Sequence, residues 1–406
     1  MKKRMHTLQL LVALTILALI LTACGGEEPS PTEVPVEDVE SEEFIFGIIM
    51  VGPRDDHGWS EAHFNGGSYV EAHLPNSRMI YVDSLNPEAR PDTTLEMAVD
   101  TMVAQDVQLI FITSDDFSVD TVYVAEKYPD VTFVQISGDH VLRGDAPANL
   151  GNYMAQMIYG KMMAGCAAAL ATETGSIGYI GPLVNSETLR LANAAYLGAR
   201  FCYENYRRLN PDDLVYTVDW IGYWFHIPEV TDDPTVVANQ LMDNGADVVI
   251  SGIDTTEALA VAVERRGAGE AVWALPFDYE GACEQGPEAC LGVPFYSWGT
   301  PYLEIAEEVR AGTWTSSWMW DPPYWEDLDD AEISPVGFAR GPAMNNVQSA
   351  YLEQFIVAMA NDFIQLFKGP LNYADGSVFL AGGELATEEQ IWYMSALLEG
   401  IQEVSD

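Results

Sequence analysis

Two successive runs of alternating apolar strands and helices constrain the fold of this chain more than any other feature. The first run predicts strands at residues 44–51, 78–82, 107–113 and 131–136. The second run, which a long helix at residues 152–171 is predicted to open, has strands at residues 176–180, 214–221, 247–251 and 271–277. Such alternation predicts parallel sheets with helices on both faces. The 406 residues are ample for two lobes of this kind with a cleft between them.

The first 43 residues have the pattern of an export signal followed by a tether. Residues 1–23 combine a basic start with an apolar run that is too short for a comfortable membrane span. The run ends in Leu21-Thr22-Ala23-Cys24, a lipobox, which predicts that Cys24 is acylated and becomes the new N-terminus. Residues 24–43 are rich in proline and acidic residues, which predicts an extended tether. We therefore expect an extracytoplasmic protein anchored to the cell membrane through Cys24; the alternative is a retained membrane helix with an incidental cysteine.

The chain is strongly acidic, with a formal net charge of −44. Such a surface repels nucleic acid and anionic lipid headgroups, so neither is an expected partner. A surface rich in Asp and Glu and poor in Lys suits a salty or an acidic exterior, because screening or protonation relieves the repulsion. The charge leaves both habitats open and does not identify a ligand.

Cysteine use agrees with export, because four cysteines follow Cys24 and an even number fits an oxidising compartment. Cys283 and Cys290 flank a short turn, and a local disulfide between them is predicted. Cys166 and Cys202 lie on predicted helices, where they are equally compatible with buried thiols.

No motif for catalysis or for metal binding stands out in the sequence. The six histidines are scattered without zinc-ligand spacing, and there is no Gly-x-Ser-x-Gly, His-Glu-x-x-His or P-loop pattern. We therefore expect no metal, no cofactor and no enzymatic activity. The rival enzyme hypothesis is a glycosidase, since such enzymes combine paired carboxylates with aromatic residues.

Carboxylates and large aromatic residues follow the carboxyl ends of the predicted strands, where open parallel sheets bind their ligands. Aromatic faces stack on flat or apolar ligand surfaces, and carboxylates accept hydrogen bonds from hydroxyl or amine groups. Any one of these residues also has an ordinary structural role, since Asp56 or Ser60 would serve as a helix N-cap. The loops in question are residues 52–60, 114–117, 181–184, 222–225, 252–255 and 278–280.

Several segments, taken in order, resemble one known family. They are Asp55-Asp56-His57-Gly58-Trp59-Ser60, Gly175-Ser-Ile-Gly-Tyr-Ile-Gly181, Asn244-Gly-Ala-Asp-Val-Val249 and Phe277-Asp278. The chain resembles the basic membrane protein family of ABC-transporter substrate-binding lipoproteins, whose best-known members are similar to purine nucleoside receptors. The resemblance implies a two-lobed fold of the periplasmic-binding-protein type I kind. It also implies capture of a small ligand, hinge closure of the lobes, and an ABC permease as partner.

The resemblance also implies where the chain crosses between lobes: near residues 137–145, near 298–300, and between 313 and 342. Lobe 1 would then comprise residues 44–140 and 299–312, and lobe 2 residues 141–298 and 313–406. The Trp-rich segment 314–330 has no counterpart in the family, and a surface loop and a docking feature both remain open for it.

Carried over by position, the family's site corresponds to eight residues of this chain. They are Asp55, Asp56, Trp59, Asp115, Phe117, Trp224, Phe225 and Asp278. In this hypothesis a nucleoside-like ring stacks between Trp59 and an aromatic residue of the 223–225 loop, while Asp278 accepts from ribose hydroxyls. The chain departs from the family near Val293, where the family often has a lysine and this chain has none. The alternatives are a sensor that feeds a signalling partner, and a receptor for another polar solute such as a sugar.

Overall fold

The computed structural model describes residues 43–330 and 332–404. In that part of the chain the strands are β1 Phe44–Ile49, β2 Ser77–Val82, β3 Leu109–Ile112, β4 Thr132–Ile136, β5 Leu150–Ala155, β6 Ser176–Gly181, β7 Val215–Trp220, β8 Val248–Ser251, β9 Trp273–Leu275, β10 Gly292–Tyr296, β11 Trp318–Asp321, β12 Val336–Arg340, β13 Leu371–Asn372, β14 Val378–Leu380 and β15 Ile401–Glu403. The helices are α1 Trp59–His73, α2 Leu95–Val103, α3 Ser118–Lys127, α4 His140–Arg143, α5 Met157–Ala171, α6 Ser186–Asn205, α7 Pro234–Asp243, α8 Glu257–Gly267, α9 Gly299–Ala311, α10 Asn346–Ala360 and α11 Glu388–Trp392.

Lobe 1 is built on a six-stranded sheet in the order β11-β5-β4-β3-β1-β2, in which every neighbouring pair is parallel. The strands β1, β3 and β5 are buried along their whole length. This explains the continuous apolar sequences of β1 and β3, because a parallel sheet is covered on both faces. Helix α1 packs against α9, and α2 packs against α3.

Lobe 2 is built on a five-stranded parallel sheet in the order β15-β7-β6-β8-β9. Helices α5 and α6 form its most extensive helix pair, and α10 packs on α5. Strands β10 and β12 form a separate antiparallel pair beside α5. The prediction of a two-lobed α/β fold with parallel sheets is confirmed.

The structure corrects the predicted helix at residues 152–171. Residues 150–155 form β5, which pairs with β4 and β11 in the first sheet, and the helix α5 begins only at Met157. The mistake has a physical cause, since a short apolar run that is buried on every side lacks the periodicity that separates strand from helix.

The first lobe boundary differs from the one that the family resemblance implied. The chain stays in lobe 1 through β5 and enters α5 after Gln156, so the crossing expected near residues 137–145 lies further along. The second crossing lies near Trp298, between β10 and α9. Strand β11 belongs to the first sheet, so residues 318–321, which were expected in lobe 2, belong to lobe 1, and the chain leaves lobe 1 for the last time only after Asp321.

The Trp-rich segment 314–330 lies within the folded body. Trp318 and Trp320 of β11 meet Trp392 edge to face, with ring centroids 5.1 and 5.2 Å apart. Trp325 makes a similar contact with Tyr159. These indoles attach the last part of the chain to the two lobes, because aromatic pairs of this geometry stabilise beyond the area that they bury.

Two disulfides cross-link the described part of the chain. Cys283 and Cys290 are linked, and so are Cys166 and Cys202, which join the buried faces of α5 and α6. The second pair is therefore a bridge and not a pair of free thiols.

We expect the two bridges to contribute unequally to stability. The Cys166–Cys202 bridge spans 36 residues and the Cys283–Cys290 bridge spans 7. Loop-closure entropy then favours the first, at about 4 kcal/mol against about 2 kcal/mol. Urea unfolding of the double alanine variants of each pair measures the difference, and a larger loss for the 283–290 pair would contradict it.

Candidate ligand-binding site

A narrow cavity with a volume of about 20 Å³ lies between the two lobes. Most of its lining residues lie in loops that follow the carboxyl end of a parallel strand, in both sheets. The lining residues are Val51, Trp59, Ser114, Asp115, Ser137, Glu187, Leu191, Trp224, Asp254, Phe277, Asp278 and Tyr296. The topology therefore brings the strand ends of both lobes to a single site, as the general rule for open α/β sheets requires.

Trp59 forms the aromatic wall on the lobe 1 side. It is the first residue of α1, and its indole N–H donates to the carbonyl oxygen of Thr113 at 2.7 Å. His63 and Trp298 meet the indole edge to face at centroid distances of 4.4 and 5.4 Å. With its polar atom already bonded and its ring held in place, Trp59 offers the cavity an apolar surface.

Asp278 is the most unusual residue of the lobe 2 wall. It follows β9, is fully buried, and has a φ of 71°, which is rare outside glycine and asparagine. Both of its carboxylate oxygens lie buried without a hydrogen-bond partner in the described part of the chain. A buried carboxylate that is left unpaired costs free energy, so two unpaired acceptors on a residue that lines a cavity indicate a place for ligand donors.

Asp115 connects the lobes at the rim of the cavity. Its carboxylate accepts from Trp224 Nε1 and from Asn185 Nδ2, both at 3.1 Å and both on lobe 2. The hydroxyl of Ser137 likewise donates to Glu187 across the cleft. A Cβ atom at position 58 of lobe 1 would lie 1.8 Å from the carbonyl oxygen of Asp254, so the two backbones touch there. The lobes are thus closed around the cavity.

Two buried cations lie near the carboxylates of the cavity wall. Four carboxylates line the cavity, whereas no lysine or arginine does. Arg190, which is buried, lies 3.6 Å from Glu187. Lys161 is also buried; it donates to the carbonyl oxygen of Ser251 at 2.7 Å and lies over the ring of Phe277. A ligand therefore meets acceptors at the surface of the cavity and not cations.

Burial dominates the ionisation of these groups. It raises the pKa of Asp278 well above its usual value, while the nearby Lys161 opposes the shift. Burial lowers the pKa of Lys161 to about 7, against the attraction of Asp278 and Asp254. The attraction between Lys161 and Asp278 thus reduces the pKa shift that burial causes in each of them.

We expect the stability of the ligand-free protein to fall as the pH rises from about 4 to about 7. Burial, with Glu187 and Asp116 adding to it, raises the pKa of Asp115 to about 7. Folded Asp115 then keeps a proton that the unfolded chain has lost across this window, so protonation favours the folded state and the gain disappears near pH 7. Melting temperatures between pH 4 and pH 7 measure the slope.

The matched variants for this measurement are Asp115→Asn and Asp120→Asn. Asparagine resembles the protonated carboxyl group, so the first variant should flatten the pH dependence. Asp120 is an exposed carboxylate on α3, and its variant should keep the slope of the unmodified protein. Equal slopes for the unmodified protein and the Asp115 variant would contradict the prediction.

Four of the eight residues selected from the sequence line the cavity: Trp59, Asp115, Trp224 and Asp278. The other four do not line it. Asp56 accepts from the backbone N–H groups of Gly58, Ser60 and Glu61, which makes it a cap of α1. The remaining three lie in other surroundings: Asp55 is exposed, Phe117 is buried in the core, and Phe225 packs edge to face on Tyr223.

Sequence reasoning missed other lining residues. Ser137 follows β4, Glu187 lies in the first turn of α6, and Tyr296 ends β10. Asp254 lies in the strand-end loop 252–255, but it is not among the eight residues predicted for the site. The strand-end rule would have found Ser137 and Asp254, whereas no local signal distinguishes Glu187 or Tyr296.

Neither a metal site nor a membrane span is found in the described part of the chain. Within residues 43–330 and 332–404, histidine, cysteine and acidic side chains form no group that would hold a metal ion. Over the same residues, every helix is too short or too polar to cross a bilayer.

A family model described as "ABC transporter substrate-binding protein PnrA-like" matches residues 45–321. The chain belongs to this Bmp family. The resemblance noted from the sequence is thereby confirmed, and the family is one of substrate-binding proteins and not of enzymes. Membership implies a small-molecule ligand and an ABC permease as partner.

Individual relatives differ in the ligands that their names give. A purine-binding protein of Brucella abortus is 27% identical over 365 residues, covering 89% of this chain and 94% of its own. A Haloferax volcanii protein to which glucose binding in an ABC transporter is ascribed is 27% identical over 305 residues, covering 74% of this chain and 71% of its own. A solved solute-binding protein of Aeropyrum pernix has the same fold, with a TM-score of 0.62 at 12% identity, over 81% of this chain and 93% of that one.

Proposed function

We propose that this Bmp protein captures a purine nucleoside outside the cytoplasmic membrane and delivers it to an ABC permease. The observation that carries the proposal is Asp278, which lines the cavity and whose two buried oxygens have no hydrogen-bond partner among the described residues; such a pair of acceptors suits the adjacent hydroxyls of a ribose. The indoles of Trp59 and Trp224 provide aromatic surface for a base in the same cavity. The Brucella relative that is named for purine binding supports the same ligand class.

The carboxylates of the cavity wall narrow the class of expected ligands further. Four carboxylates line it, and the two buried cations lie behind them. A phosphate group would therefore meet buried carboxyl groups and no lysine or arginine that could compensate its charge. Nucleosides fit this wall and nucleotides do not.

A sugar is the second candidate ligand. The Haloferax relative is associated with glucose, and paired carboxylate oxygens accept from sugar hydroxyls as well as from ribose. The two candidates differ in what they require of the indoles, because a flat base stacks over a larger aromatic area than a sugar ring does.

A thermal-shift screen of the purified, ligand-stripped protein tests the proposal. Nucleosides, nucleobases, nucleoside monophosphates, sugars and amino acids are compared, and a ligand that binds only the folded state raises the melting temperature. We expect purine nucleosides to give the largest shift and their monophosphates to give none. A shift with sugars or amino acids and none with nucleosides would refute the nucleoside proposal.

Substitution of one indole tests the stacking contact. Trp224→Leu keeps apolar volume but removes the aromatic surface, so the nucleoside shift should shrink. Trp273→Leu is the matched control, because Trp273 lies on β9 and does not line the cavity.

The delivery step follows from the closed arrangement of the lobes. Ligand bound to one lobe brings the other over it by hinge motion at the three crossings, near Gln156, near Trp298 and after Asp321. The closed form then presents surfaces of both lobes to the permease. The bonds from Asn185 and Trp224 to Asp115 hold this form together across the cleft.

The proposed anchor is Cys24, which lies outside the described residues. The lipobox around it, the basic start before it and the acidic tether after it support lipidation. We expect Cys24→Ala to release the protein from membranes or to leave an unprocessed precursor, as seen by cell fractionation and mass spectrometry. A variant that is processed and stays in the membrane fraction like the unmodified protein would refute the anchor.

A further inference from the structure

The hydroxyl of Tyr296 is a buried polar group with no role in the fold or in the proposed function as described above. Tyr296 ends β10, lines the cavity and is 4% exposed. Its hydroxyl has no hydrogen-bond partner in the described part of the chain. A buried hydroxyl of this kind costs free energy, and a phenylalanine would fill the same space without that cost.

The ring of Tyr296 is held firmly in place. It stacks on Trp298 at a centroid distance of 4.8 Å and meets Trp59 edge to face at 5.3 Å. Phe277 lies on a further side at 6.0 Å. The position of the hydroxyl is therefore set by the surrounding aromatic rings and not by a hydrogen bond of its own.

Tyr296 and Asp278 belong to the same piece of wall. The backbone N–H of Tyr296 donates to the carbonyl oxygen of Asp278 at 3.1 Å, and the N–H of Asp278 donates to Pro294 at 3.2 Å. Burial, with Glu187 and Asp278 adding to it, raises the pKa of Tyr296 far above neutrality. The hydroxyl therefore stays protonated and is available as a donor, on the same wall of the cavity as the two acceptors of Asp278.

Several donors elsewhere in the cavity are already used by protein acceptors. The indole N–H groups of Trp59 and Trp224 already donate to Thr113 and Asp115. The hydroxyl of Ser137 donates to Glu187. Carboxylate acceptors are abundant by comparison, so a ligand oxygen that needs a donor has few places to find one.

We propose that Tyr296 is a specificity-determining residue, which donates a hydrogen bond to an oxygen of the ligand's sugar next to the hydroxyls that Asp278 accepts. This inference rests on the proposed nucleoside-binding function and extends it. Asp278 offers two acceptors and Tyr296 offers one donor. This combination matches a ribose, which has two adjacent hydroxyls and further oxygens. The site then selects nucleosides over free nucleobases.

The test compares the full-length, ligand-stripped protein with its Tyr296→Phe variant by titration calorimetry. The probes are adenosine, adenine, the 2′-, 3′- and 5′-deoxyadenosines, and the carbocyclic analogue that lacks the ring oxygen. We expect the variant to bind adenosine about tenfold more weakly, which corresponds to about 1.4 kcal/mol, and to bind adenine within twofold of the unmodified protein. The analogue that lacks the contacted oxygen should bind both proteins equally.

Tyr216→Phe is the matched control. Tyr216, on β7, is also fully buried and its hydroxyl is also without a partner in the described part of the chain, but it does not line the cavity. Its variant should keep the affinity for adenosine. Neither substitution removes a protein hydrogen bond that the structure shows, so both variants should fold.

The outcomes separate this inference from the proposed function. If adenosine binds the unmodified protein and the Tyr296 variant equally, the hydroxyl only holds water, and the inference fails while the nucleoside proposal stands. If the variant loses adenine as much as adenosine, Tyr296 contacts the base and the inference fails in its stated form. If the unmodified protein binds no nucleoside, the proposed function fails and this inference fails with it.

Discussion

Asp278→Asn is expected to weaken nucleoside binding by roughly 100-fold, which corresponds to about 2.7 kcal/mol. The two oxygens of Asp278 have no protein partner in the described residues, so ligand hydroxyls would be their donors. A hydrogen bond to a charged group contributes about 1.5 to 3 kcal/mol. Asparagine lacks the charge, and its NH₂ group cannot accept a hydrogen bond from a ligand hydroxyl. Titration calorimetry with the best nucleoside of the screen measures the loss.

The backbone at Asp278 decides which variants are informative. Its φ of 71° suits asparagine and glycine but strains alanine, by about 1 to 2 kcal/mol. Asp278→Gly therefore removes the side chain without strain, and comparison with Asp278→Ala isolates the backbone cost. An asparagine variant that binds within threefold of the unmodified protein would contradict the assigned role.

The pH dependence of binding provides a second measurement for the same residue. Burial raises the pKa of Asp278 above its usual value, whereas hydroxyl donors favour the ionised form. Binding should then release a proton, so affinity should rise with pH. The asparagine variant cannot release that proton and should lose this part of the dependence.

Gly198→Ala is expected to lower the free energy of unfolding by about 3 kcal/mol, a large fraction of the total for a typical protein. A Cβ atom at position 198 of α6 would lie 2.0 Å from the carbonyl oxygen of Met162 on α5. The reverse contact is equally close, since a Cβ at Gly165 would lie 1.8 Å from the carbonyl oxygen of Ala195. The helices touch backbone to backbone, so a methyl group can enter only if they move apart.

Two further variants make the stability test specific. Gly267→Ala is the matched control, because Gly267 ends helix α8 with open space around it, and alanine should be neutral or slightly stabilising there. The double variant of Gly165 and Gly198 should lose less than the sum of the single losses, because the first methyl group already separates the helices. Urea midpoints measure these effects, and a Gly198 variant as stable as the Gly267 variant would contradict the prediction.

Much of the fold was predictable because parallel strands buried on both faces carry continuous apolar runs. The segments that begin at Phe44, Ser176 and Asp247 have this character and form β1, β6 and β8. The rule failed at residues 150–155, where a buried strand leads almost directly into a buried helix. Two apolar elements in succession show no change of pattern at Gln156, so the sequence predicts a helix that begins too early, at residue 152.

The sequence predicted only those residues of the candidate site that lie after the ends of strands. Trp59, Asp115, Trp224 and Asp278 follow strands and lie together in the cavity. Phe117 and Phe225 lie in the same kinds of loop but turn towards other residues, because side-chain direction in a loop depends on contacts that are distant in sequence.

The sequence by itself determined the α/β class, the two lobes, the family and the chemistry of the site, namely carboxylates and indoles at strand ends. These features follow from local patterns and from short segments in a fixed order. Only the tertiary structure decided which carboxylates share the cavity, that Asp278 and Tyr296 are unpaired within the described residues, and that Lys161 and Arg190 lie behind the wall. The physical reason is that pairing, burial and the resulting pKa shifts depend on neighbours that are distant in sequence: Glu187 and Ser137 are 50 residues apart, and the fold alone brings them into hydrogen-bond contact.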